Sequence, residues 1–258
     1  MGIYDDIRNF NKQFEYKPEI ENEKPLKKLH KSVFGFIVAG MGGSHLSGDI
    51  LRSLEPKLDI MVWNDYGLPP MPFSELKNKL VIASSYSGNT EETISAFLEA
   101  RRRGVPVAAI AAGGKLIVLA KKAKAPYVEM PDLHVQPRMA LGLSLRALLK
   151  IIGEEELLRE TDELAKILRP AGLENSGKKL ARRLKRSVPV IYSSVRNAGL
   201  AYNWKIKFNE TGKIPAFYDL LPELNHNEMT GFDAKPDSRG LSSKFHFIFL
   251  KDGDDDKR

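Results

Sequence analysis

Short apolar runs, each bounded by glycine, proline or charged residues and followed by a stretch with helical spacing, recur along the first half of the chain. They cover residues 33–39, 60–63, 80–83, 105–110 and, more weakly, 127–130. Runs this short and this uniformly apolar suit strands buried on both faces of a parallel sheet. Between them, residues 44–54, 90–103 and 116–122 have helical character. In the second of these, Ile94, Phe97 and Leu98 share a face, Glu91 and Glu92 occupy the first turn, and Arg101 to Arg103 occupy the last, with Gly104 following. Each end therefore carries the charge that complements the helix dipole. Strands alternating with helices require right-handed crossovers, which predicts an α/β doubly wound layer.

From residue 139 to 184 the pattern is helical without intervening strands, interrupted by Pro170 and Gly172. Pro189, Val190, Ile191 and Tyr192 then lead through Ser193 and Ser194 into a second helical stretch over 197–211. This repeats in outline the earlier passage from Phe36, Ile37, Val38 and Ala39 through Gly42, Gly43 and Ser44. The chain of 258 residues also exceeds the roughly 250 at which single cores stop growing. Two related α/β domains with parallel sheets flanked by helices are expected, the first over 1–152 with an N-terminal helix and the second over 153–258. The strand-like run 245–250 is followed by a short polar tail, so the second domain is expected to lack its C-terminal helix.

Composition narrows the chemistry. The chain has no cysteine, which excludes disulfides, a thiolate zinc site and a cysteine nucleophile. No apolar run approaches the roughly 20 residues of a membrane span, and Asp5, Asp6 and Arg8 are unlike a signal peptide, so a cytoplasmic protein without membrane partners is expected. The net charge is +7, but the basic clusters at Arg101–Arg103, Lys121, Lys122, Lys124 and 178–186 have almost no aromatic residues between them. They read as solvated helix faces rather than a nucleic-acid surface.

Two loops stand out. Gly40, Met41, Gly42, Gly43 and Ser44 follow the first strand, and Ser84, Ser85, Tyr86, Ser87, Gly88, Asn89 and Thr90 follow the third. Each lies between a strand's C-terminal end and a helix's N-terminus, where free backbone N–H groups and the positive end of the dipole converge. Hydroxyls there add neutral donors, so a phosphate can be held without a lysine, and the chain has no GxxxxGK[ST] motif.

Together with Gln136-Pro137-Arg138, Lys207-Phe208-Asn209-Glu210 and Glu223-Leu224-Asn225-His226-Asn227-Glu228, these loops resemble the sugar isomerase (SIS) domain family, in its phosphoglucose/phosphomannose isomerase branch. The resemblance runs over nearly the whole chain. It implies a phosphosugar substrate, interconversion of glucose 6-phosphate and mannose 6-phosphate with fructose 6-phosphate, and no metal or organic cofactor. Gly42, Gly43, Ser44, Ser85, Ser87 and Thr90 match substrate-binding positions, the hydroxyls among them holding the phosphate. Arg138 matches an active-site arginine, Glu210 the carboxylate that moves the proton, and His226 the histidine that opens the sugar ring. A homodimer is implied, with His226 supplied across the interface.

The residue types suit the reaction. Aldose–ketose interconversion removes a proton alpha to a carbonyl and returns it to the neighbouring carbon, work for one carboxylate. A permanently charged arginine stabilises the enediolate without taking the proton, and histidine titrates in the range that ring opening needs. His30, His45, His134 and His246 are expected to be structural, and Met139, Leu141, Leu143 and Leu145 to be core. Family members usually continue past the strand matching 245–250 into a helical segment bearing an active-site lysine. Lys251 and Lys257 fall too early to match it, so a non-catalytic phosphosugar-binding protein is the alternative expectation.

Overall fold

The computed structural model describes residues 2–29, 34–233 and 235–256. His30, Val33 and Lys257 lie outside them. The chain divides into two compact units, Met1–Gly172 and Leu173–Arg258.

The first unit opens with α1 (Ile3–Arg8), a 3-10 turn at Phe10–Glu15 and α2 (Lys24–Leu29). The alternating layer follows as β1 (Gly35–Ala39), α3 (Leu46–Leu54), β2 (Ile60–Trp63), α4 (Phe73–Leu76), β3 (Lys79–Ser84), α5 (Glu91–Arg103), β4 (Val107–Ala111), α6 (Gly114–Ala123) and β5 (Tyr127–Glu129). Helices α7 (Leu141–Ile152) and α8 (Glu155–Ile167) complete it, and α9 (Pro170–Arg183) crosses the division. All five strands are parallel, in the order β2-β1-β3-β4-β5. Strand order reverses between β1 and β3, and ligands of such sheets bind outside the strand C-termini at that point. The two small-residue loops follow these two strands.

Both faces of the sheet are buried, as the uniform apolar runs require. Val38, Leu80, Ile82, Ala108 and Ile110 pack with Leu143, Ala147 and Leu148 of α7. Ile37, Val81, Ala83 and Ala109 pack with Phe97 of α5 and Leu116 of α6. Met139, Leu143 and Leu145 are core, whereas Leu141, the first residue of α7, is only half-buried. The predicted strand 105–110 begins two residues late: the Val105 N–H bonds to the Ala100 carbonyl at 2.9 Å and so still belongs to the end of α5, with Gly104 left-handed at φ 70°.

Beneath the sheet, Arg146 of α7 is fully buried. Its guanidinium donates to the Tyr16 carbonyl, to Thr161 Oγ1 at 2.6 Å and to Asp162 Oδ1 at 2.8 Å, tying the N-terminal segment and α8 to α7.

The second unit holds β6 (Val188–Ser194), α10 (Ala198–Glu210), β7 (Phe217–Leu221), α11 (Glu228–Gly231), α12 (Arg239–Ser242) and β8 (Phe245–Leu250). Its sheet is parallel in the order β7-β6-β8, the arrangement that β2-β1-β3 has in the first unit. Strand β7 escapes a reading by pattern because Phe217 and Tyr218 are exposed and Asp219 interrupts the apolar run. Residues 251–256 form no helix; Asp252 accepts from Asn197 Nδ2 at 2.6 Å and Asp254 pairs with Arg196 at 2.7 Å.

Candidate active site

The loop after β1 turns sharply. Gly42 is left-handed at φ 53°, and Gly42–Ser44 form one 3-10 turn leading into α3. The loops after β1 and β3 are joined by three contacts. The Ser84 hydroxyl donates to the Ser44 carbonyl at 2.7 Å, and Ser44 Oγ accepts from the Tyr86 N–H at 3.1 Å. A Cβ on Gly40 would stand 2.7 Å from the Ser84 carbonyl oxygen, so only glycine permits this approach.

The second loop is organised by its own hydroxyls. Ser85, fully buried, holds Thr90 Oγ1 at 2.8 Å and accepts from the Gly88 N–H at 3.1 Å. Ser87 Oγ is exposed and accepts from the Asn89 N–H at 3.2 Å. Gly88 is left-handed, and Asn89 Oδ1 accepts from the Lys115 N–H at 3.0 Å, fastening the loop to α6. Ser44 and Ser87 each accept a bond through oxygen, which leaves a hydroxyl proton to donate. These hydroxyls, beside the first-turn N–H groups of α5, make a cluster of donors suited to a phosphate.

Both loops also contact the segment that carries Arg138. It sits in a 3-10 turn at Pro137–Met139 and is 7% exposed. Gly43 packs directly on the Pro137–Arg138 backbone. The Tyr86 hydroxyl accepts from the Leu133 N–H at 3.0 Å and donates to Asp132 at 3.3 Å, which fixes the segment entering that turn. Burial raises the Tyr86 phenol above its ordinary pKa, so it stays a neutral hydroxyl. On the far side, the buried Gln13 amide donates to the Met139 carbonyl at 2.6 Å, while its oxygen accepts from the Gly142 N–H at 3.0 Å in the first turn of α7. The structure thus brings Gly42, Gly43, Ser44, Ser85, Ser87, Thr90 and Arg138 into one neighbourhood. Sequence reasoning assigned nothing to Tyr86 or Gln13, although a lone tyrosine among serines was a signal for the former.

His45 is buried with its Nδ1 at 2.6 Å from Asp49, whereas His134 is exposed, 3.2 Å from Asp132. Among the described residues, no group of three or more His, Asp or Glu side chains could hold a metal ion. No described helix is long and apolar enough to cross a membrane.

In the second unit, Glu210 is the last residue of α10 and half-buried. The Asn209 amide donates to the Ile214 carbonyl at 3.0 Å, and a Cβ on Gly212 would lie 2.7 Å from the Phe208 carbonyl, so the chain beyond Glu210 turns tightly. His226 ends the 3-10 turn Glu223–His226 and is exposed. These two residues do not meet within the unit. Helix α10 starts beyond the C-terminal end of β6 and runs back along the sheet, so Glu210 lies at the edge where β7 begins, and His226 follows the edge where β7 ends. The 13-residue helix separates the edges by roughly 20 Å.

Comparison with known proteins agrees with this architecture. Residues 173–258 match the family model described as the bacterial phospho-glucose isomerase C-terminal SIS domain. The chain is 35% identical to the bifunctional phosphoglucose/phosphomannose isomerase of Aquifex aeolicus, over 99% of this chain and 77% of that protein. It is 33% identical to the enzyme of the same name from Caldicellulosiruptor bescii, over 99% of this chain and 78% of that one. Tagatose-6-phosphate ketose/aldose isomerase from Escherichia coli superposes with a TM-score of 0.64 at 16% identity, covering 95% of this chain and 71% of that one, a likeness of fold alone. The chain belongs to the bifunctional phosphoglucose/phosphomannose isomerase family, on the SIS fold.

Proposed function

We propose that the chain interconverts glucose 6-phosphate and mannose 6-phosphate with fructose 6-phosphate by proton transfer through an enediolate. Ser44, Ser85, Ser87 and Thr90 hold the phosphate, with Gly42 and Gly43 giving the backbone close approach. His226 moves a proton between the ring oxygen and the anomeric hydroxyl, which opens the ring. Glu210 takes the C2 proton and returns it to C1, while the hydroxyl proton passes from O2 to O1, so the step is balanced without any redox partner. Arg138 stabilises the enediolate oxygen. Glucose and mannose 6-phosphate differ only in configuration at C2, the carbon that loses its proton and becomes planar, so dual specificity follows where the site reads the C2 hydroxyl loosely enough to bring either C2–H to Glu210.

The observation that carries this reading is the buried Arg138, whose turn packs on Gly43 of the loop after β1 while Tyr86 of the loop after β3 fixes the segment leading into that turn, at the sheet's reversal point. A homodimer with shared sites belongs to the same reading, as does a cytoplasmic location. Its support is that Glu210 and His226 of one chain stand at opposite edges of the second sheet, so two chains can supply them to one site. The test is direct: incubate the protein with each aldose phosphate and follow the products by NMR. Fructose 6-phosphate from both is expected, and conversion of neither would refute the proposal.

A further inference from the structure

His226 is exposed on a four-residue turn, yet ring opening needs an imidazole held in one place. The turn is fastened at both ends. On its inner side Leu224 is fully buried with Val190 and Tyr192 of β6. On its outer side, Asn227 donates through its amide to Glu223 Oε1 at 2.9 Å and accepts from the Glu228 N–H at 2.5 Å. The Glu228 side chain then turns inward, where its Oε1 accepts a 2.6 Å hydrogen bond from the Tyr192 hydroxyl. Tyr192 is itself 2% exposed, its ring centroid 5.4 Å from those of both Phe247 and Phe249 of β8. Asp219 is the register partner of Tyr192 on β7, and its Oδ1 accepts from the Leu220 N–H at 2.7 Å.

We propose that Glu228 is a positioning residue for the isomerase: held through its carboxyl by the Tyr192 hydroxyl and through its backbone N–H by the Asn227 side chain, it fixes the Glu223–His226 turn and with it the His226 imidazole. This rests on the reading of His226 as the ring-opening residue. Burial, opposed by the Tyr192 hydrogen bond and reinforced by Asp219, raises the Glu228 carboxyl above its ordinary range.

The Tyr192 hydrogen bond makes a distinctive demand, since the amide oxygen of glutamine can accept it and alanine cannot. The test compares kcat and KM for glucose 6-phosphate, together with the His226 imidazole NMR resonance, in the intact protein and in Glu228→Ala, Glu228→Gln, Tyr192→Phe and His226→Asn. The last variant assigns the resonance by its loss. Glu228→Ala is expected to lower kcat about 10- to 100-fold, the scale of a misplaced catalytic group, with KM little changed and the resonance shifted or broadened. Glu228→Gln should restore both, and Tyr192→Phe, which removes one oxygen, should fall between and carries the test if Glu228→Ala does not fold. Native kcat or an unmoved resonance in Tyr192→Phe and Glu228→Ala would overturn the proposal, as would a Glu228→Gln variant as impaired as the alanine. Full activity of His226→Asn would instead overturn the reading of His226 on its own evidence, and the inference with it.

Discussion

Gly43 lies so close to Arg138 that a Cβ on the glycine would stand 2.6 Å from the arginine's Cα. The loop after β1 and the arginine turn are thus packed backbone to backbone, and the position of the cation depends on a missing side chain. Gly43→Ala should displace the Arg138 turn, costing about 1–3 kcal/mol of stability as overpacking does and lowering kcat/KM by at least tenfold. Gly42→Ala provides the contrast. Its Cβ would meet nothing within 4 Å, although φ is 53°, so only backbone strain of about 1 kcal/mol is expected, with Arg138 undisturbed. Melting curves and steady-state kinetics of both variants check this.

Ser85 and Thr90 share a hydrogen bond at 2.8 Å, so one of their two hydroxyl protons is left to donate to the phosphate in the proposed site. Loss of one hydrogen bond to a charged group costs about 1.5–3 kcal/mol, so Ser85→Ala or Thr90→Val should raise KM roughly 10- to 100-fold. An equal fall in kcat with KM unchanged would mean that the loop serves the transition state rather than phosphate capture. Kinetics with inorganic phosphate as competitor separate the two cases.

Glu210 and His226 at opposite edges of one sheet make complementation a sharp assay. In an equal mixture of Glu210→Gln and His226→Asn chains, half of the two-fold dimers are mixed, and each mixed dimer regains one intact site if the two residues come from different chains. Activity should recover to roughly a quarter of the unmutated level after subunit exchange. No recovery, with mixed dimers demonstrated by mass, would place both residues of a site in one subunit.

Asp162 links acid stability to the buried arginine. Its carboxyl is held below the ordinary range, first by the Lys17 hydrogen bond and further by Arg146, with burial opposing. Because the folded-state pKa is depressed, the stabilisation is complete above the unfolded value near roughly 3.9 and is lost as pH falls through the folded value. Asp162→Asn should therefore be less stable at pH 7 and should lose less further stability on acidification than the unmutated protein. Urea midpoints at pH 7 and pH 3 test the sign; parallel losses in the two proteins would contradict it.

The alternating layer was legible because each buried strand declares itself locally, through an uninterrupted apolar run closed by a turn residue. The two loops were legible for the same reason, since Gly42, Ser44, Ser85 and Thr90 sit in contiguous segments whose place at a strand end is fixed by what flanks them. What stayed hidden depends on partners far apart in the chain. Gln13 acts 126 positions away, at the Met139 carbonyl, and nothing near it in sequence marks a buried amide. Tyr192 read simply as an apolar strand residue, and its hydroxyl gains meaning only once Glu228 is folded against it. Strand β7 was obscured by Asp219, whose polar side chain interrupts the apolar run between Tyr218 and Leu220.

The central claim, a Glu210-driven isomerisation, is tested most directly by the rate of fructose 6-phosphate formation from glucose 6-phosphate and from mannose 6-phosphate in the unmutated protein and in Glu210→Gln. Turnover of both substrates is expected, falling in the variant by about 10²–10⁴-fold, the scale of general acid–base catalysis, with KM little changed. Turnover undiminished in Glu210→Gln would contradict the assignment of the base, and absence of fructose 6-phosphate from either substrate with the unmutated protein would contradict the account as a whole.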